Sequence, residues 1–122
     1  MDNVKNTKKV YDLGDRTFIF AKNVRLFIKT LPKSIANNED SKQVIRSSGS
    51  VGANYREANE ALSKKDFMMK IKISRKEAKE SGYWLRLINE TNDLENSNTA
   101  LELIQEATEL KKILSAILEK SK

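Results

Sequence analysis

Cysteine and histidine are both absent from the 122-residue chain. Disulfides, thiolate nucleophiles, zinc sites of the Cys/His kind, imidazole bases and haem attachment are therefore excluded by inventory, and most enzyme classes go with them. Proline occurs once and glycine four times, so few positions must break a helix. No run approaches the roughly 20 uninterrupted apolar residues of a membrane span. The stretch MDNVKNTKKVYDLGDR has basic residues without the apolar segment of a secretion signal, and a cytoplasmic protein with no membrane association is expected. What the chain does have is 39% hydrophobic residues and a 33% charged fraction rich in Lys and Glu. Lys and Glu favour helix and cover exposed helix faces, so the expectation is a single all-α domain with a modest core.

Residues 1–12 are polar without a sustained period and read as a flexible N-terminal tail, leaving 13–122 for a bundle. The first helix is expected to start near Leu13 to Asp15. Phe20, Val24, Phe27 and Leu31 then keep one face apolar until Pro32 denies the next turn its backbone N–H. Turn signals at Asn37 and Asn38 precede a second helix with the stripe Val44, Ser48, Val51, Tyr55, Ala58 and Leu62. Gly49 and Gly52 beside that stripe each cost a helix about 1 kcal/mol relative to alanine, which calls for a close neighbouring backbone or for tight helix packing. Ser63 to Asp66 forms a capping box that opens a third helix, whose inner face is Phe67, Ile71, Ser74, Ala78, Ser81, Leu85 and Ile88. The small residues at its centre are expected opposite the glycines of the second helix. A polar turn over Asn89 to Asn98, anchored by Leu94, leads to a fourth helix from about Thr99. Its stripe is Leu103, Ala107, Leu110, Leu114 and Ile117, widened by Ile104, Ile113 and Leu118. Four amphipathic helices on short connections predict an antiparallel up-down-up-down four-helix bundle.

The net charge is +6, and its excess falls in alternate segments: +5 over 1–33, −1 over 34–62, +4 over 63–90 and −2 over 91–122. On the third helix Lys65, Lys72, Lys79 and Arg86 recur every seven residues, and Lys76 and Tyr83 fill the same stripe opposite the apolar face. On the first helix Lys22, Arg25, Lys29 and Lys33 do the same. Such stripes serve either as polyanion-binding surfaces, neutralising phosphates without reading bases, or as solvated faces and interhelix charge pairs. Glu57 with Glu60, and Glu77 with Glu80, are carboxylate pairs at i and i+3. Carboxylate metal sites in bundles use Glu-x-x-His motifs, so salt bridges with Arg56, Lys64, Lys76 and Lys79 are the expectation, with no metal and no cofactor. Ile73 and Trp84 lie on the flank of the third helix's inner face, to be covered either within the protomer or by a second copy. Met68 is expected to fill a gap and Met69 to sit at the surface.

The stretch Arg46-Ser47-Ser48-Gly49-Ser50-Val51-Gly52-Ala53-Asn54-Tyr55-Arg56-Glu57-Ala58, followed by Ser63 to Phe67 and Tyr83 to Leu87, resembles the four-helix-bundle proteins encoded by intervening sequences of 23S ribosomal RNA genes. The same family includes the accessory variability determinant of diversity-generating retroelements. The resemblance runs over about residues 16–120, and its most specific part is Ser-Val-x-x-Asn with an arginine a few residues upstream. Where many members continue the asparagine with Ile-Ala-Glu-Gly, this chain has Tyr55 to Ala58, so the second helix is expected to run on to Asn59 or beyond. The resemblance implies a homopentameric barrel with a basic surface, no enzymatic activity and, for the retroelement members, association with RNA and a reverse transcriptase. With the basic stripes, it leads to a non-enzymatic RNA-binding accessory protein that works as a homo-oligomeric ring. The alternative is a protein–protein scaffold that docks a partner enzyme, its charges serving solubility.

Overall fold

The first three helices begin where a side chain takes over a backbone donor that the first turn leaves unpaired. The computed structural model describes residues 12–95 and 97–122, so the tail expected over 1–12 lies, apart from Asp12, outside the described residues. Helix α1, Leu13–Ile28, is capped by Asp12, which accepts from the Asp15 N–H at 2.7 Å. It ends earlier than Pro32 requires, because the N–H groups of Thr30 and Leu31 tighten onto the carbonyls of Phe27 and Ile28. Helix α2, Ile35–Asn59, is capped by Ser34 and runs straight through Asn37 and Asn38, which do not form the expected turn. Helix α3, Lys64–Thr91, is capped by Ser63, whose hydroxyl accepts from the Asp66 N–H at 3.0 Å as the capping box predicts. It continues past Asn89, so the expected polar turn shrinks to the residues after Thr91. Helix α4, Ser97–Lys120, starts slightly before Thr99. Among the described residues there is no strand.

The apolar stripes meet as the spacing requires. Phe20, Val24, Phe27, Val44, Val51, Ile71, Leu85, Ile88, Leu110 and Leu114 are buried, with Ala58, Ala78, Ala100 and Ala107 between them. Leu31, Tyr55, Phe67 and Ile117 are only partly buried at the edge of this core, and one expected core position fails outright. Leu62 is fully exposed because α2 stops at Asn59 and leaves it in the connection. On α4 the last buried position is Leu118, with Ile117 only half-buried on the flank. Met68, Ile73 and Trp84 are half-buried, with Met68 and Trp84 packed against the core, while Met69 is exposed.

Helix α1 packs on α2 and α4, and α3 packs on the same two, so α1 and α3 occupy diagonal corners and do not touch. The α2–α3 contact shows its antiparallel register through its polar pairs. Asn37 meets Asn92, Ser47 meets Ser81, Ser74 donates to the Val51 carbonyl, and Lys70 meets Glu57, each step forward on one helix matching a step back on the other.

The small residues divide between two interfaces. Gly52 faces Thr17 of α1: a Cβ there would lie 2.9 Å from its Oγ1 and 3.2 Å from its Cβ. Gly49 faces the guanidinium of Arg25, also on α1. The glycines of α2 therefore admit α1, and not the serines of α3 that their positions along the sequence would suggest. Those serines instead bond α2 directly, Ser74 at 2.7 Å to the Val51 carbonyl and Ser81 at 2.8 Å to Ser47. Both are fully buried, and with a partner present they avoid the roughly 1–3 kcal/mol that an unsatisfied buried hydroxyl costs.

Candidate nucleic-acid interface

The carboxylates that matter for packing find partners across helices. Glu77 is buried and Glu80 half-buried, and both accept from Arg46 of α2, at 3.4 and 2.6 Å. Glu80 also accepts from the indole N–H of Trp84 at 3.4 Å. The charge of Glu77 foremost, with Glu80 adding to it, holds the Arg46 guanidinium above its ordinary pKa. Glu57 pairs with Lys70 at 3.4 Å, and Glu106 of α4 takes Arg16 of α1 in a two-pronged contact at 2.7 and 2.8 Å. The hydrogen bond from Arg16 to Glu106 likewise raises the Arg16 pKa. Salt bridging is thus the role of Glu57, Glu77 and Glu80, but their partners are not the expected Arg56, Lys64, Lys76 and Lys79. The partners are instead Arg46 and Lys70, which reach these carboxylates across the α2–α3 seam.

This leaves the basic stripes to themselves. Lys65, Lys72, Lys76 and Lys79 are all exposed, and among the described residues none lies within salt-bridge distance of a carboxylate. Arg86 at the end of the row is exposed and, among the described residues, pairs with Glu90, one turn on, at 3.4 Å. From Lys65 to Arg86 the row runs about 30 Å along one helix. On α1, Lys22, Lys29 and Lys33 are exposed. Arg25 is exposed too, but its guanidinium donates to the carbonyls of Ala21 at 3.0 Å and Ile45 at 3.4 Å, tying α1 to α2. The eight sequence-predicted residues therefore form two sites and not one. Lys65, Lys72, Lys76, Lys79 and Arg86 lie on the α3 corner, and Lys22, Arg25 and Lys29 lie on the corner diagonally opposite.

Each stripe borders a shallow groove that recruits a cation from a neighbouring helix. Between α3 and α4, Lys79, Gly82, Tyr83 and Arg86 are joined by Thr108 and Lys111 around a space of about 270 Å³. Between α1 and α2, Phe18, Lys22 and Arg25 are joined by Arg56 around about 430 Å³. No carboxylate lines either groove, whereas the α1–α4 groove holds Glu102 and Glu106, and the one beside Leu62 holds Glu57, Glu60 and Asp66. Lys111 and Arg56 carry no signal in the sequence because each belongs to a helix of neutral or acidic balance. Only the helix register, with Gly82 opposite Ala107, brings Lys111 beside the α3 row. Among the described residues no His, Cys, Asp and Glu cluster is arranged to hold a metal, and no helix is long and apolar enough to cross a membrane.

Of the residues that carry the resemblance, Arg56, Lys65, Tyr83 and Arg86 lie on these exposed faces, whereas its most specific part, Arg46 and Ser50 to Asn54, lies on α2 and serves packing. Arg46 holds Glu77 and Glu80, Val51 is buried under Ser74, and Asn54 donates to the carbonyl and hydroxyl of Ser50, both at 2.9 Å. Helix α2 runs to Asn59, as the absence of the glycine after Glu57 predicts. Residues 9–116 match the 23S rRNA-intervening sequence protein family. A crystal structure from Bacteroides thetaiotaomicron, of a protein of unknown function from the S23 ribosomal protein family, superposes with a TM-score of 0.76 at 32% identity, covering 88% of this chain and 98% of that one. None of the curated proteins is significantly similar to the chain. With the motif accounted for by helix packing, and the match spanning nearly the whole bundle, the chain belongs to the 23S rRNA-intervening sequence protein family.

Proposed function

We propose that the protein is a non-enzymatic, cytoplasmic RNA-binding accessory protein whose α3 corner is the contact surface. The observation that carries this reading is the exposed row Lys65, Lys72, Lys76 and Lys79, free of carboxylates among the described residues, while Arg16, Arg46 and Lys70 are paired across helices. A solvated row without partners is the arrangement that lets a polyanion exchange its counterions for lysines. Such contact follows the backbone and reads no base edges. A homo-oligomeric ring strengthens it, because several weak rows on one body act at high effective concentration. In the retroelement members of the family, the companion would be a reverse transcriptase.

A second reading, assembly or docking of a protein, is favoured on the α1 corner. Phe18 and Leu26 are more than half exposed there, beside Arg25, whose guanidinium is already engaged with α2. The two readings divide the molecule: α3 for RNA and α1 for protein, a neighbouring copy first. Retention of RNA at low salt should be lost in Lys72→Glu combined with Lys79→Glu and largely kept in Lys22→Glu combined with Lys29→Glu. Equal retention by the α3 double variant and the parent protein would remove the α3 row from the account.

A further inference from the structure

Resting on that reading, we propose that the α3–α4 groove is a stacking site for one unpaired base of a single-stranded RNA whose backbone follows the lysine row. Tyr83 lies in the row itself and is 58% exposed, the one aromatic ring among its cations. Trp84 braces it, with ring centroids 5.0 Å apart and planes at 78°. Trp84 is in turn held by Glu80 and by packing against the core, so the tyrosine stands on a fixed support. Beside the ring, Gly82 keeps the groove floor low, and Lys79, Arg86 and Lys111 surround it with no carboxylate in the lining.

Cations alone would accept any polyanion, duplex included. An aromatic ring set between them adds a contact that only an unstacked base can make, because every base offers a π-face once it is out of a helix. The openness and small size of the space favour one base of a longer chain over an enclosed free metabolite. About 270 Å³ in an open groove is less than the roughly 300–1,000 Å³ of pockets that enclose small molecules. It suits one base of a chain that is held elsewhere along its length. The α1–α2 groove has a similar composition, but its Arg25 is already bonded to two backbone carbonyls. The α3–α4 groove adjoins the longer row, of four exposed lysines with no carboxylate partner among the described residues, and its ring is braced by a second ring.

The test uses the full chain with three probes: a short mixed-sequence single-stranded RNA, the same sequence as a duplex, and inorganic polyphosphate. The single strand should bind most tightly. Tyr83→Leu should weaken it about tenfold, the order expected for losing one stacked base, and leave duplex and polyphosphate unchanged. Tyr83→Phe should bind as the parent does. Trp84 is the sole tryptophan, so its emission should respond to the single strand and not to polyphosphate. If all three probes bind alike and Tyr83→Leu matches the parent, the stacking site is overturned while the α3 basic surface stands. If no probe binds at low salt, the RNA reading falls and this inference with it. If Tyr83→Leu instead changes only the sedimentation of the protein, the groove is a contact between copies and the inference is wrong.

Discussion

At the residue scale, two glycines three positions apart on α2 should answer oppositely to the same added methyl. At Gly52 the new Cβ meets the buried Thr17, whose hydroxyl is committed to the Gly14 carbonyl at 3.0 Å, so α1 must move. Overpacking of that kind costs about 1–3 kcal/mol and outweighs the roughly 1 kcal/mol that alanine gains in a helix. At Gly49 the nearest atom, at 3.3 Å, is the far end of the flexible Arg25 side chain. Gly52→Ala should therefore lower the urea midpoint, and Gly49→Ala should leave it level or raise it by up to about 1 kcal/mol of stability. A stabilised Gly52→Ala would show that α1 does not lie where the close approach puts it.

The ion pair beneath the family motif makes a second claim at this scale. Arg46→Met would leave the buried Glu77 carboxylate without its cation. Because Arg46 is itself half exposed and water can reach the pair, the loss should be about 1–3 kcal/mol, below that of a fully buried pair. Adding Glu77→Leu to Arg46→Met should recover most of it in a urea titration, since no unpaired charge then remains. Failure to recover would mean that Glu80, and not Glu77, carries the interaction.

At the element scale, the four helices and most of their inner faces were legible because 4, 3 spacing of apolar residues depends on the helix alone. What was not legible depended on partners. Leu62 keeps the spacing of α2, yet it falls after the helix has ended and is fully exposed. Asn37 reads as a turn residue, and is instead buried inside α2. There it donates to the Pro32 carbonyl and exchanges two amide hydrogen bonds with Asn92, all at 2.8 Å. Asn92 also donates to the Ile88 carbonyl, so the pair joins the start of α2 to the end of α3. Nothing in the sequence pairs two asparagines so far apart. Asn37→Ala should cost about 2–3 kcal/mol, because it removes several bonds at once and leaves Asn92 short of a partner. Asn37→Asp should be no milder, since an acceptor-only side chain would face two oxygens. An Asn37→Ala midpoint within error of the parent would mean that water replaces the pair.

At the scale of the whole molecule, the packing order decides what the charges can do. The exposed state of the lysines was legible from the apolar stripes, but that α1 and α3 stand at diagonal corners was not, because helix order around a bundle is set by contacts the sequence does not display. One predicted basic surface therefore became two faces with different neighbours. If the α1 face meets a second copy, Leu26→Lys should lower the assembly state seen by light scattering without unfolding the helices. An unchanged mass would place the contact elsewhere.

The central claim, that the α3 lysines neutralise RNA phosphates, is tested most directly by the salt dependence of binding. A plot of log affinity against log salt should fall steeply for the parent protein, and each of Lys72→Gln, Lys76→Gln and Lys79→Gln should flatten the slope by about 0.7 for the one phosphate it no longer neutralises. Slopes identical to the parent in all three variants would contradict the account.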